Sequence, residues 1–300
     1  IMSRLLQTIR LAALLLVAAP GLAASSSQDV TALFAPPTEA EIAAVRADWA
    51  SRQPTVQGFR LEATGADAQG VPYRVISHVV DGQRHFGAIK YPRNYVAGQS
   101  YGALVVCHGG LAGVAAEEAA NFLVVLPGLC VEDDYFLIIP SYRGESLRTT
   151  FAGDFLSGGT KCYADRDVDD TAAMLSATLV HYQEIDHARI GTWGISRGGA
   201  VSLLLAARDE RVRLVVDLFG FTDLSLPSVG AELDLILNQG VTPAGIGRVA
   251  YASVVQPWLS GAISFNRPPL GGIRRSPCSF FVPMPSLQAH PGLPAPPVDP

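Results

Sequence analysis

The hexapeptide Gly194-Ile195-Ser196-Arg197-Gly198-Gly199 constrains this chain more than any other feature. The run Ala188 to Gly194 before it reads as a short buried strand. Arg197 to Arg208 after it reads as a helix, with Ala200, Val201, Leu203, Leu204, Leu205, Ala206 and Ala207 as its apolar bulk. Ser196 therefore stands where a strand turns sharply into a helix. Such a turn strains the backbone at the serine and needs small neighbours. Gly194 and Gly198 meet that need, and Gly199 lets the helix lie close to the sheet. The pattern presents Ser196 as a candidate nucleophile, with the Arg197 N–H at the helix start as a candidate oxyanion donor.

A second constellation fits the first. Ala103 to Cys107 reads as a buried strand, and His108-Gly109-Gly110-Leu111 follows at once. Glycines there expose backbone N–H groups, and either Gly110 or Leu111 can supply a second oxyanion donor. His108 precedes the nucleophile in the chain and reads as a structural loop residue.

Together these segments resemble an α/β-hydrolase of the prolyl oligopeptidase-like group, which includes S9 peptidases and dienelactone-hydrolase-type esterases. The residues that carry the resemblance are Val105 to Gly110, Ile139 to Glu145, Asp167 to Asp170, Gly194 to Gly199 and Phe219 to Asp223, in the family's order. It spans residues 71–290. It implies a mostly parallel sheet with flanking helices and a small helical cap. It also implies a serine hydrolase acting through an acyl-enzyme on a small peptide or ester, with no cofactor.

The triad is where the chain departs from this pattern. The fold takes Ser, acid and His in that order. Asp223 follows a strand end and is a candidate acid, one strand earlier than the family places it. His290 alone follows Ser196 and is a candidate base. Its other reading is the structural histidine before the family's glycine loop. Arg275-Ser276-Pro277 matches the family, and Pro285 to His290 reads as the next strand. Pro291 to Pro297 then stands where H-G-x-x-D is expected, and Asp299 comes four or five residues late. The resemblance thus implies a truncated hydrolase without its last strand and helix, and the start at Ile1 before Met2 agrees with a fragment. A catalytically inactive hydrolase fold is the alternative.

The start of the chain reads as a targeting segment. Arg4 and Arg10 flank the beginning of an apolar run, Leu11 to Ala19, and small residues to Ala24 offer a cleavage site. Residues 1–24 are read as a signal peptide, so the protein is expected to be exported, periplasmic or secreted, with no stable membrane span. Its removal takes the net charge from −5 to −7, and no basic patch suggests nucleic acid. The high apolar content, 49%, suits a sheet buried on both faces. Residues 25–70 are read as an N-terminal extension with a helix at Glu39 to Ser51, 71–290 as the hydrolase domain, and 291–300 as a proline-rich tail.

Further expectations follow from local pattern. Asp81-Gly82 closes a hairpin between Tyr73–Val80 and His85–Tyr91. His78 and His85 on it read as surface or satisfied residues. Ser141 to Ala164 reads as a long glycine-rich loop at the sheet's carboxyl edge, either lining a substrate pocket with Tyr142 and Arg143 or packed as a surface loop. Asp167, Asp169 and Asp170 read as helix-dipole acids rather than metal ligands. Residues 224–270 read as helical cap. The four cysteines lack C-x-x-C spacing, which speaks against zinc, and export would permit a Cys130–Cys162 bridge.

Overall fold

A computed structural model describes residues 37–52, 57–124, 131–260, 270–280 and 287–290. The expected signal peptide, the stretch to residue 36, Cys130 and the tail 291–300 lie outside them.

Helix α1 (Glu39–Ser51) opens on a capping box. Thr38 Oγ1 accepts from the Glu41 N–H, and the Glu41 carboxylate accepts from the Thr38 N–H. Strands β1 (Gln57–Ala66), β2 (Pro72–Val80) and β3 (Gln83–Lys90) form an antiparallel meander, with Asp81 and Gly82 both at positive φ in the turn between β2 and β3. Next come β4 (Tyr101–Cys107), β5 (Val114–Ala115), α2 (Ala116–Val124), α3 (Val131–Asp134), β6 (Tyr135–Pro140), β7 (Ser146–Thr149) and β8 (Gly153–Leu156). Then follow α4 (Arg166–His181), β9 (Ile185–Ile195), α5 (Arg197–Arg208) and β10 (Val212–Leu218). The last described elements are α6 (Pro227–Gln239), α7 (Gly245–Ala250), a π-helical stretch (Tyr251–Val255), α8 (Gln256–Leu259), α9 (Leu270–Ile273), a 3₁₀ turn (Pro277–Phe280) and β11 (Leu287–His290).

Among the described residues, eight strands form one sheet in the order β1-β2-β3-β6-β4-β9-β10-β11. From β6 to β11 every pairing is parallel. The central strands read as unbroken apolar runs because both faces are covered. On β4, Ala103, Val105 and Cys107 face α1, α4 and α5, while Leu104 and Val106 face the side of α2 and β5. On β6, Phe136 and Ile138 go with the first set, and Leu137 and Ile139 with the second. This period of two builds two cores on one sheet. The architecture is that of an α/β-hydrolase fold, with α6 to α8 forming the expected helical addition after β10. Among the described residues, no helix is long and apolar enough to cross a membrane.

Several expectations need correction. The supposed loop 141–164 carries β7 and β8, which join β5 in a separate three-stranded sheet. Strand β1, inside the expected extension, pairs with β2 along its length. Helix α1 buries Val45 and Trp49 in the main core. His78 and His85 are not surface residues, for each is no more than 2% exposed. The acids at the start of α4 do more than oppose a dipole. Asp167 pairs with Arg197, Asp169 with Arg208, Arg166 and Arg52, and Asp170 with Arg143. Cys162 accepts from Arg275 Nη2 at 3.4 Å, and the Cys130–Cys162 bridge falls on Cys130, outside the described residues.

Candidate active site

Ser196 links the end of β9 to the start of α5. Its φ of 55° and ψ of −121° lie in a region that L-residues rarely enter, and its side chain makes no cap hydrogen bond to the helix. The Ser196 N–H donates to the Leu218 carbonyl of β10 at 2.8 Å, and its own carbonyl accepts from Gly199 N at 3.0 Å. The residue itself is exposed, whereas Arg197 to Leu205 are buried. The turn thus lifts one hydroxyl out of a packed junction.

The glycines around it are required by close approach. A Cβ on Gly194 would lie 2.1 Å from the Gly198 carbonyl, and one on Gly198 would lie 1.9 Å from the Cys107 carbonyl. A Cβ on Gly199 would meet Asp217 Oδ1 at 1.9 Å. Asp217 is a buried carboxyl of β10 whose Oδ1 accepts from Gly220 N at 2.8 Å. Burial raises its pKa above the ordinary range. The tight turn it caps holds Phe219 at φ 59° with its ring 67% exposed beside the elbow.

The loop after β4 lies against this turn. A Cβ on Gly109 would be 2.9 Å from the Ile195 carbonyl and 3.4 Å from Ser196 Cβ. Gly110 has φ 70°, with open space on its Cα. Its carbonyl accepts from Arg197 Nη1 at 2.8 Å, the Leu111 carbonyl from Lys161 Nζ at 2.7 Å, and the Ala112 carbonyl from Arg148 Nη1 at 3.1 Å. Gly113 N donates to Glu145 Oε2 at 3.0 Å. The structure therefore brings Ser196, Arg197, Gly110 and Leu111 together at the carboxyl edge of the sheet.

Beneath the loop, the Arg197 side chain is 2% exposed. It pairs with Glu145 and Asp167, both at 2.8 Å, and lies between the rings of Tyr142 and Tyr163, 4.6 and 4.7 Å from their centroids. Burial is the larger influence on its pKa, but the two acids outweigh it and hold the guanidinium charged. Tyr142 is fully buried, stacked on His108 at 4.1 Å. Arg143 gives Asp170 a bond from Nε at 3.1 Å and one from Nη2 at 2.5 Å. The expectation that these two residues line a substrate pocket is therefore corrected. Tyr142 supports the elbow from below, and Arg143 neutralises a buried aspartate. In the sequence Glu145 stands out only within a family-like segment, Asp167 also as a helix-dipole acid, and Lys161 carries no signal. Their partners stand 30 to 52 residues away, where no local pattern reaches.

No described histidine side chain is placed to serve Ser196 as it stands. His108 is buried, and burial followed by the Arg197 charge pushes its pKa down to about 3. Burial likewise lowers His78 to about 4 and His85 to about 3. His181 stacks on Phe59 at 3.6 Å near the end of α4, and His187 lies towards the opposite end of β9 from Ser196. Asp223 Oδ1 accepts from Ser225 N at 2.7 Å and Ser225 Oγ at 2.6 Å, closing a local turn. For His290 the backbone is described. Its position pairs with Leu218, which in turn pairs with Ile195. Residue 290 thus stands level with the elbow, two strands away, or about 10 Å at ordinary strand spacing. Among the described residues no group of three or more His, Cys, Asp or Glu side chains is clustered to hold a metal ion.

Comparison with known proteins gives a family match and structural likenesses. Residues 125–239, which include the elbow, match the prolyl oligopeptidase family, Peptidase_S9. Acetyl xylan esterase 1 from Thermoanaerobacterium sp. JW/SL YS485 is similar in structure, with 15% identity over 87% of this chain and 88% of that one, at a TM-score of 0.47. A puromycin-hydrolyzing peptidase from Mycobacterium tuberculosis shares 18% identity over 75% of this chain and 31% of that one, at 0.48. An acetyl xylan esterase from a Paenibacillus species shares 12% over 89% and 94%, at 0.46. No curated protein sequence matches.

Proposed function

We propose that this chain, an α/β-hydrolase similar over its elbow segment to the prolyl oligopeptidase family, is an exported serine hydrolase that cleaves small peptides or esters. The observation that carries this reading is the exposed Ser196 at its strained strand–helix turn, with the Gly109–Leu111 loop packed against it. In the reaction, a base takes the Ser196 Oγ proton as the oxygen attacks the substrate carbonyl. The tetrahedral oxyanion is held by the Arg197 N–H and a loop N–H. Collapse expels the alcohol or amine with that proton and leaves an acyl-serine, which water then hydrolyses.

The candidate base is His290, the one histidine after Ser196, whose position is level with the elbow at the carboxyl edge. The family match favours a peptidase, with a carboxylic-ester hydrolase as the runner-up. Both share this machinery, so the substrates separate them. Turnover of aminoacyl amides as well as p-nitrophenyl acetate, both lost in Ser196→Ala, supports the peptidase reading, and turnover of the ester alone supports the esterase.

An inactive, ligand-binding hydrolase fold is the second reading. It draws on the fact that no described histidine side chain serves Ser196. Folded protein that turns over neither substrate class would support it.

A further inference from the structure

The side chain of Arg197 is used in a way that its place in the elbow does not require. Any residue there would supply the backbone N–H at the start of α5. The guanidinium instead runs under the oxyanion loop and fixes one of its peptide planes.

The loop needs such a device. Gly109, Gly110 and Gly113 give it wide backbone freedom, and Gly110 and Gly113 both take positive φ. Yet donors for a developing oxyanion act best when fixed beforehand, so that none of the transition-state stabilisation goes into ordering them. Three successive carbonyls, those of Gly110, Leu111 and Ala112, are each held by a separate basic side chain. The first of these clamps is the buried one. Arg197 is itself fixed by Asp167 at Nε, by Glu145 at Nη1 and by two tyrosine rings. Glu145 also takes the Gly113 N–H, so a single carboxylate anchors both the guanidinium and the far end of the loop. Arg197 Nη2 is buried without a hydrogen-bond partner. Leaving a buried donor unpaired opposes stability, so the arrangement is not one shaped by ion pairing alone.

We infer that Arg197 is a positioning residue whose guanidinium, by holding the Gly110 carbonyl, aims the Leu111 N–H as the second oxyanion donor. A trans peptide points its C=O and N–H in opposite directions. The Gly110 carbonyl is held by the buried guanidinium, so the N–H of the same peptide, that of Leu111, is directed away from that guanidinium. The Gly110 N–H belongs to the preceding peptide, whose carbonyl contacts only the neighbouring His108 ring, at 2.9 Å. The choice between Gly110 and Leu111, open in the sequence, is settled by the clamp in favour of Leu111. This inference rests on Ser196 being the nucleophile.

The test uses p-nitrophenyl acetate with the full chain. Arg197→Lys keeps the backbone N–H and the buried charge but loses the fork. It is expected to lower kcat about 100-fold, the low end of the range for losing an oxyanion donor, with KM changed less than about threefold. A purely structural role would lower the melting temperature and leave kcat per folded molecule unchanged, and that result overturns the inference. A second variant touches no buried charge. Replacing Leu111 by its α-hydroxy acid turns the Gly110–Leu111 amide into an ester and removes that single N–H. A comparable loss in kcat is expected, and an equal or larger loss from the same exchange at Gly110 overturns the assignment to Leu111. Failure of the underlying reading looks different: wild-type protein would then show no turnover that depends on Ser196.

Discussion

The Leu218 carbonyl accepts the backbone N–H of Ser196 at 2.8 Å, so β10 holds the strained serine from the side while α5 holds it from behind. Strain at one residue persists only when its surroundings fix it from several directions. Here the surroundings are backbone packed on backbone, and that makes the glycines of the elbow intolerant of change.

Gly198→Ala is the sharpest test of this packing. Its new Cβ would meet the Cys107 carbonyl at 1.9 Å, and that backbone leads directly into the oxyanion loop. A loss of roughly 3 kcal/mol in unfolding free energy is expected, at the upper end of overpacking costs. Urea unfolding of wild type and variant measures it, and a variant of wild-type stability would show that the junction is looser than described.

Phe219 stores strain of a different kind. Its positive φ is unfavourable for an aromatic residue, and the exposed ring returns little burial for it. Phe219→Asn, with a side chain tolerant of this conformation, is expected to stabilise the protein by about 1 kcal/mol. Thermal unfolding reads the change directly, and a destabilised variant would show that the ring is held by contacts after all.

Arg143 separates a pocket residue from a structural one. Its fork neutralises Asp170, a carboxyl 1% exposed. Arg143→Met removes the cation facing that carboxyl and keeps only the bond from the residue 143 backbone N–H at 2.9 Å, which costs about 3 kcal/mol. KM for p-nitrophenyl acetate is expected to stay unchanged below the melting temperature. A raised KM with unchanged stability would restore Arg143 to the substrate pocket.

Buried imidazoles set the acid limit of stability. His78, His85 and His108 have folded pKa values of about 4, 3 and 3, each lowered chiefly by burial. The unfolded chain takes up these protons near pH 6.5 and so binds more protons than the folded one between there and pH 4. Stability is therefore full above about pH 6.5 and falls as pH drops, by roughly 2 kcal/mol per histidine between pH 7 and pH 5. Urea midpoints at the two pH values test this. His78→Leu is expected to shrink the difference by one histidine's share, and an unchanged difference contradicts the assignment.

The elbow was legible because its demands are local. A serine between glycines, with an apolar strand before it and a helix after it, leaves few other arrangements, and Arg197–Arg208 is helical as read. The hairpin at Asp81-Gly82 was legible for the same reason. Strand β1 was missed because it is an edge strand, largely exposed, and two register shifts break its alternation. Strands β7 and β8 were missed because four-residue strands amid glycines take their meaning from pairing with distant β5. Tyr142 and Arg143 were misplaced because position at a sheet's carboxyl edge does not say which way a side chain turns. Their partners, His108 and Asp170, lie 34 and 27 residues away. The Arg197 clamp escaped notice because three of its contacts reach across 30, 52 and 87 residues.

The central claim is that Ser196 is an activated nucleophile, and intact-mass analysis after treatment with a fluorophosphonate tests it most directly. The account predicts one adduct per folded molecule, mapped by peptide sequencing to Ser196 and absent in Ser196→Ala. Folded wild-type protein that takes up no label, or a Ser196→Ala protein that labels equally well, would contradict it.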